Sequence, residues 1–212
     1  MSPNLITLVR MCLAFVSVAL FRHGVYPSLT ALALLVVAIW LDAVDGYVAR
    51  RWGYTSDAGA AFDIAADRVV ENVFWIFFAA AGLISFWIPM TVIARGCLTD
   101  FLRGIAFTRG QTAFGEKTMM RTWWGRLLTG SRASRAAYGI VKCAAFFALG
   151  ARLVLDEAPA WRALLATGIV NGLQIGALGL AIAAVVFCVA RGVPVIIEGL
   201  RFFRKSPALS TH

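Results

Sequence analysis

The sequence predicts an all-α integral membrane bundle of six transmembrane helices with both termini in the cytoplasm. Three observations carry that expectation. Of the 212 residues, 60% are hydrophobic and 15% charged, with a mean hydropathy of +0.79; soluble domains average roughly 45–50% apolar and about 25% charged. The apolar residues gather into runs suited to a bilayer core, which takes about 20 residues per helix. Basic residues lie between these runs. A net charge of +9 could suggest nucleic acid, but cations alternating with apolar segments are the pattern of cytoplasmic loops, so no nucleic-acid partner is expected.

The first span, about 5–22, opens with PNLITLVR. It carries Arg10 and lacks a small-residue cleavage site, so it reads as a span and not as a cleaved signal. The second, about 27–49, ends in LDAVDGYVARR, and the third covers about 60–84. An uncharged turn near Ser85–Pro89 leads to the fourth, about 87–108. A basic connection, about 109–135, is long for a compact bundle; Trp123 and Trp124 beside Arg121 and Arg126 mark an interfacial stretch in it. The fifth and sixth spans cover about 136–155 and 163–190. A basic tail, about 191–212, contains IIEGLRFFRK, which reads as a short amphipathic helix on anionic lipid or as a frayed basic end.

Orientation follows from Lys and Arg. Arg50 and Arg51 follow the second span. The stretch 103–142 sets Arg103, Arg109, Lys117, Arg121, Arg126, Arg132, Arg135 and Lys142 against Glu116, and the tail holds Arg191, Arg201, Arg204 and Lys205. The positive-inside rule puts these segments in the cytoplasm. Cys12, Cys97, Cys143 and Cys188 lie scattered in apolar segments without metal-ligand spacing, as packing residues do. With no internal repeat, a single domain over 1–212 is the economical reading.

Five of the eleven acids, Asp42, Asp45, Asp57, Asp63 and Asp67, fall between positions 42 and 67. Asp42 and Asp45 are three apart and Asp63 and Asp67 four apart, so on helices each pair shares a face, about 5–6 Å apart at Cβ. Carboxylates at a bilayer boundary are costly unless they face the bundle interior, a partner or a metal. Ion pairing with Arg50, Arg51 and Arg68 is the simpler alternative, but it does not call for four Asp at helical spacing with small residues between. Hard oxygen ligands suit Mg²⁺, Mn²⁺ or Ca²⁺, and paired divalent ions suit phosphate substrates.

The pattern Asp42-x2-Asp45-Gly46-x2-Ala49-Arg50-x8-Gly59-x3-Asp63-x3-Asp67 resembles the signature of the CDP-alcohol phosphotransferases at every fixed position. Members are six-helix membrane enzymes, many of them homodimers, that displace CMP from a CDP-linked donor, usually CDP-diacylglycerol, with an alcohol acceptor. The resemblance implies that Asp42, Asp45, Asp63 and Asp67 bind two divalent ions, Mg²⁺ or Mn²⁺, and that Asp67 is also the general base. Gly46, Ala49, Arg50 and Gly59 would lie against the CDP portion, and Asp57 falls outside the motif. It further implies a bacterial inner membrane with the site facing the cytoplasm.

Asn4, Thr7 and Arg10, at spacing three, resemble the opening of the phosphatidylglycerophosphate synthase and cardiolipin synthase branches, which implies contact with the donor. IARGCLTDFLR is similar to a segment of the phosphatidylglycerophosphate synthases, with Arg95 and Arg103 in place and Gly96 where the family has Glu. YGIVKC is similar to the family's GKxKT stretch, with Lys142 aligned but Ile140 and Cys143 differing. Arg132 and Arg135 open the fifth span, where cations and free N–H groups can hold a phosphate. Arg95, Arg103, Arg132, Arg135 and Lys142 are therefore the expected acceptor-phosphate residues. The favoured acceptor is glycerol 3-phosphate, giving phosphatidylglycerophosphate. Phosphatidylglycerol, inositol phosphate or another alcohol are the alternatives within the chemistry. A cation carrier or channel is the alternative outside it, but that reading expects acids spread along several spans.

Overall fold

The computed structural model describes residues 3–52, 57–108, 120 and 122–204; the side chains of 3, 42–52, 57, 58, 60, 132 and 202–204 lie outside the description. Among the described residues every regular element is helical. The elements are α1 (Pro3–Leu20), α2 (Val25–Trp52), α3 (Asp57–Ala80), α4 (Trp87–Thr108), the short α5 (Trp123–Gly125) running into a π-turn (Arg126–Gly130), α6 (Arg132–Glu157), α7 (Pro159–Leu164) and α8 (Thr167–Arg204). The six long helices stand at the six predicted places. Two described segments, Ala133–Glu157 and Thr167–Arg201, are long and apolar enough to cross a membrane, and α1 and α2 carry shorter apolar stretches, Asn4–Leu20 and Val25–Leu41.

The tail departs from expectation. Among the described residues α8 runs unbroken for 38 residues to Arg204, so the described part of the predicted tail continues the last helix. At about 1.5 Å per residue that is roughly 57 Å, well beyond an apolar bilayer core of about 30 Å. Pro194 lies inside it and removes one backbone donor, a loss that membrane helices tolerate where neighbours pack closely. The long connection is also shorter than predicted, because α6 begins at Arg132.

The chain divides into two compact units: Met1–Pro89 with Lys142–Ala181, and Met90–Val141 with Ile182–His212. In the first, α1 packs on α2 and α3 through a buried stripe of Thr7, Arg10, Ala14, Ser17 and Phe21, spaced three or four apart as a helix face requires. The Ser17 hydroxyl donates to the Ala31 carbonyl at 2.8 Å, which satisfies it where water is absent. Arg22 (φ 68°) and Gly24 (φ 105°) turn the chain into α2. An aromatic cluster of Phe21, Phe74, Trp75, Phe78 and Phe146 joins α1, α3 and α6. A Cβ on Gly150 would lie 2.9 Å from Leu32 Cδ1, so glycine there lets α6 approach α2.

The second unit has its own core of Leu102, Ala106, Met120 and Val195. The buried carboxylate of Glu198 on α8 accepts the Thr122 N–H at 3.1 Å. Arg126 Nε donates to the Met120 carbonyl at 3.1 Å, so the segment leading into α6 is tied down through its backbone groups.

Candidate active site

Asp63 and Asp67 lie one turn apart on α3, and the structure brings both to Arg10 of α1. Arg10 Nη2 is 3.2 Å from Asp63 Oδ1 and 2.6 Å from Asp67 Oδ1. The arginine side chain is 2% exposed, the carboxylates 45% and 48%. A buried guanidinium is stable only with charge and hydrogen-bond partners, and the two carboxylates supply them. Arg10 faces inward because it occupies the buried stripe of α1. Thr7, one turn earlier, is buried with it, whereas Asn4 is exposed, and Gly59 is half-buried in the first turns of α3. Asp42, Asp45, Gly46, Ala49 and Arg50 lie on the last turns of α2, where side chains are outside the described set.

Two anionic oxygens on one helix face, half open to solvent and already converging on one cationic nitrogen, are a donor set that fits a hard divalent cation. Among the described residues no three His, Cys, Asp or Glu side chains gather into a metal-binding group. The other two carboxylates of the sequence motif are those outside the description.

Glu71 continues the stripe of Asp63 and Asp67 by one more turn. It is 3% exposed and pairs with Arg68 Nη1 at 3.3 Å and with Lys142 Nζ at 3.7 Å. Lys142, expected from the sequence at the acceptor phosphate, is thus placed beside a carboxylate of α3. Sequence reasoning passed over Glu71, although its fixed 63–67–71 spacing within an apolar run was a visible signal.

The remaining acceptor candidates lie in the second unit. Arg103 is 3.8 Å from Asp100 on its own helix. The stem of Arg95 lies against α8 so closely that a Cβ on Gly192 would be 2.7 Å from its Cγ. Beside it Arg191, read from the sequence only as part of the basic tail, is 7% exposed. Its Nη1 donates to the Ser134 carbonyl at 2.7 Å, and its guanidinium lies 5.6 Å from the Tyr138 ring centroid. Arg95 and Arg135 are near enough to act on it electrostatically. Among the described residues neither Arg95 nor Arg191 has an ion-pair partner, and the Nε of each is buried without a hydrogen bond. Like charges held together this way favour an anion. Arg132 opens α6, with its side chain outside the description.

The model of the CDP-alcohol phosphatidyltransferase family matches residues 1–167. A Mycobacterium tuberculosis protein provisionally named cardiolipin synthase is 31% identical over 113 residues, 52% of this chain and 53% of its own length. Two proteins named CDP-diacylglycerol–glycerol-3-phosphate 3-phosphatidyltransferase also match. That of Pectobacterium atrosepticum is 35% identical over 105 residues, 48% of this chain and 57% of its own. That of Salmonella paratyphi A is 30% identical over 132 residues, 60% of this chain and 69% of its own. The match spans about half the length of the first two relatives.

Proposed function

The chain belongs to the CDP-alcohol phosphatidyltransferase family, and on that premise we propose that it is a membrane transferase displacing CMP from CDP-diacylglycerol with glycerol 3-phosphate. The observation that carries this reading is the convergence of Asp63 and Asp67, the last two motif carboxylates, on one buried arginine. The proposal includes six membrane spans, cytoplasmic termini, a site open to the cytoplasm at a bacterial inner membrane, and a homodimer.

Asp67, half exposed and oriented by Arg10, takes the proton of the acceptor hydroxyl as its oxygen attacks the lipid-side phosphorus. The pyrophosphate P–O bond breaks, and CMP leaves with the electron pair. Asp42, Asp45, Asp63 and Asp67 would hold two divalent ions, Mg²⁺ or Mn²⁺, which when bound neutralise pyrophosphate charge. Asn4, Thr7 and Arg10 with Gly46, Ala49, Arg50 and Gly59 would receive the CDP portion. For the acceptor phosphate, Arg95 and Arg135 gain a third member in Arg191, whose buried guanidinium, held by the Ser134 carbonyl, suits a dianion. Arg103 and Arg132 remain in the acceptor set, whereas Lys142, expected there from the sequence, is taken instead as the partner of Glu71 on α3.

The mycobacterial relative favours a second acceptor, phosphatidylglycerol, through the same chemistry. Both acceptors carry a phosphate, so an acceptor panel separates them. The test is CMP release from purified protein with CDP-diacylglycerol and Mn²⁺ or Mg²⁺. Turnover with glycerol 3-phosphate is expected; turnover with phosphatidylglycerol alone would move the protein to the second reading. No CMP release with any acceptor, inositol phosphate included, would remove the transferase reading, and cation flux through proteoliposomes would replace it with a carrier.

A further inference from the structure

The geometry points to Glu71 as a positioning residue that fixes the rotation of α3 and so aims Asp63 and Asp67 at their shared cation; this rests on the catalytic reading of Asp67. Asp63, Asp67 and Glu71 follow one another at four-residue intervals, so they share a stripe of α3. Along it, two half-open carboxylates are followed by one that is 3% exposed. A buried carboxylate is costly unless cations meet it, and Glu71 has two. Arg68 comes from its own helix at i−3, and Lys142 from α6.

The inter-helix pair lies within a seam. Lys142 and Phe146 are one turn apart on α6, as Glu71 and Trp75 are on α3. The turn after the ion pair is filled by Trp75 against Phe146, with ring centroids 4.8 Å apart, and Phe74 against Phe146 at 5.4 Å. One turn further, Gly150 lies against Phe21 and Leu32. Aromatic packing alone allows small rotations of a helix, because ring pairs keep favourable contacts over centroid separations of about 4.5–7 Å. A charge pair at one end of the seam fixes the angle. Rotating α3 away from Lys142 would leave a buried carboxylate with one cation fewer, and would carry Asp63 and Asp67 with it. Glu71 also engages Arg68, the immediate neighbour of Asp67.

Wild type, Glu71→Gln, Glu71→Asp and Lys142→Met are compared in detergent by hydrogen exchange and by kcat and KM for CMP release. For Glu71→Gln, amide exchange over 63–68 is expected to rise about fivefold with 167–181 unchanged. Its kcat should fall about 10- to 100-fold, with acceptor KM within about twofold. Glu71→Asp keeps the charge and should recover at least about a third of the lost kcat, and Lys142→Met should show the same kcat-dominated loss in weaker form. Wild-type exchange over 63–68 in Glu71→Gln would overturn the assignment. So would a Lys142→Met variant altered only in acceptor KM, which would make that lysine an acceptor ligand and not an anchor for Glu71. Should Glu71→Gln fail to fold, the other two variants decide in the same terms. If the wild type itself releases no CMP, the functional reading fails, and the exchange over 63–68 still judges the positioning of α3.

Discussion

At Arg10 one guanidinium nitrogen serves two carboxylates, so removing either partner leaves uncompensated charge in a partly buried place. Arg10→Ala should lower stability by about 1–3 kcal/mol; the lower end reflects carboxylates that are about half exposed and screened by solvent. The loss is read as a lowered unfolding midpoint in detergent. Added Mn²⁺ should raise that midpoint more for Arg10→Ala than for wild type, because a bound cation replaces the missing charge. Asp67→Asn keeps the volume but cannot accept the acceptor proton. Turnover should fall about 10²- to 10⁴-fold, and near-normal turnover would remove the base assignment. Arg191→Gln acts on a different quantity: if the arginine cluster receives the acceptor phosphate, acceptor KM should rise about tenfold or more while the KM for CDP-diacylglycerol stays unchanged.

Among the elements, α8 meets α4 through glycine, at Gly192 against Arg95 and at Gly199 against Leu102. A methyl group at Gly192 would lie 2.7 Å from Cγ, 3.0 Å from Nε and 3.3 Å from Cδ of Arg95, so both the stem and the base of the guanidinium must shift. Gly192→Ala should therefore displace the guanidinium and raise acceptor KM, whereas Gly199→Ala should cost about 1–3 kcal/mol through overpacking with acceptor KM unaltered. Paired kinetics and thermal midpoints on the two variants separate site from scaffold. The sequence announced the helices themselves, because apolar runs and their basic flanks register directly in local composition. It also announced Asp63 and Asp67, whose spacing of four is a property of one helix. Glu71 and Arg191 were not legible in the same way. Their meaning depends on Lys142, Ser134 and Tyr138, brought close only by tertiary packing, and a basic residue near the end of a span looks the same whether it meets lipid or protein. The length of α8 was hidden by its own basic end, since charges that complete a helix also resemble those that follow one.

For the molecule as a whole, the open quantity is how many of the six long helices cross the bilayer. Only α6 and α8 contain described segments that satisfy length and hydropathy together. α3 and α4 fall short because each carries its site charges: Asp63, Asp67, Arg68 and Glu71 on one, Arg95, Asp100 and Arg103 on the other. In a bundle such residues turn toward protein, so average hydropathy understates a helix that spans. The alternatives differ in parity. Between Ser85, in the exposed turn before α4, and Arg201, near the end of α8 and 51% exposed, lie α4, α6 and α8. Three crossings put the two positions on opposite sides of the membrane, and two put them on the same side. With Cys12, Cys97, Cys143 and Cys188 replaced, Ser85→Cys and Arg201→Cys are each exposed to a membrane-impermeant maleimide in spheroplasts and in inverted vesicles. Six spans with cytoplasmic termini require Ser85→Cys to label only in spheroplasts and Arg201→Cys only in inverted vesicles. Labelling of both from one side would leave α4 as a helix that does not cross, and would take the Arg95 acceptor assignment out of a spanning helix with it.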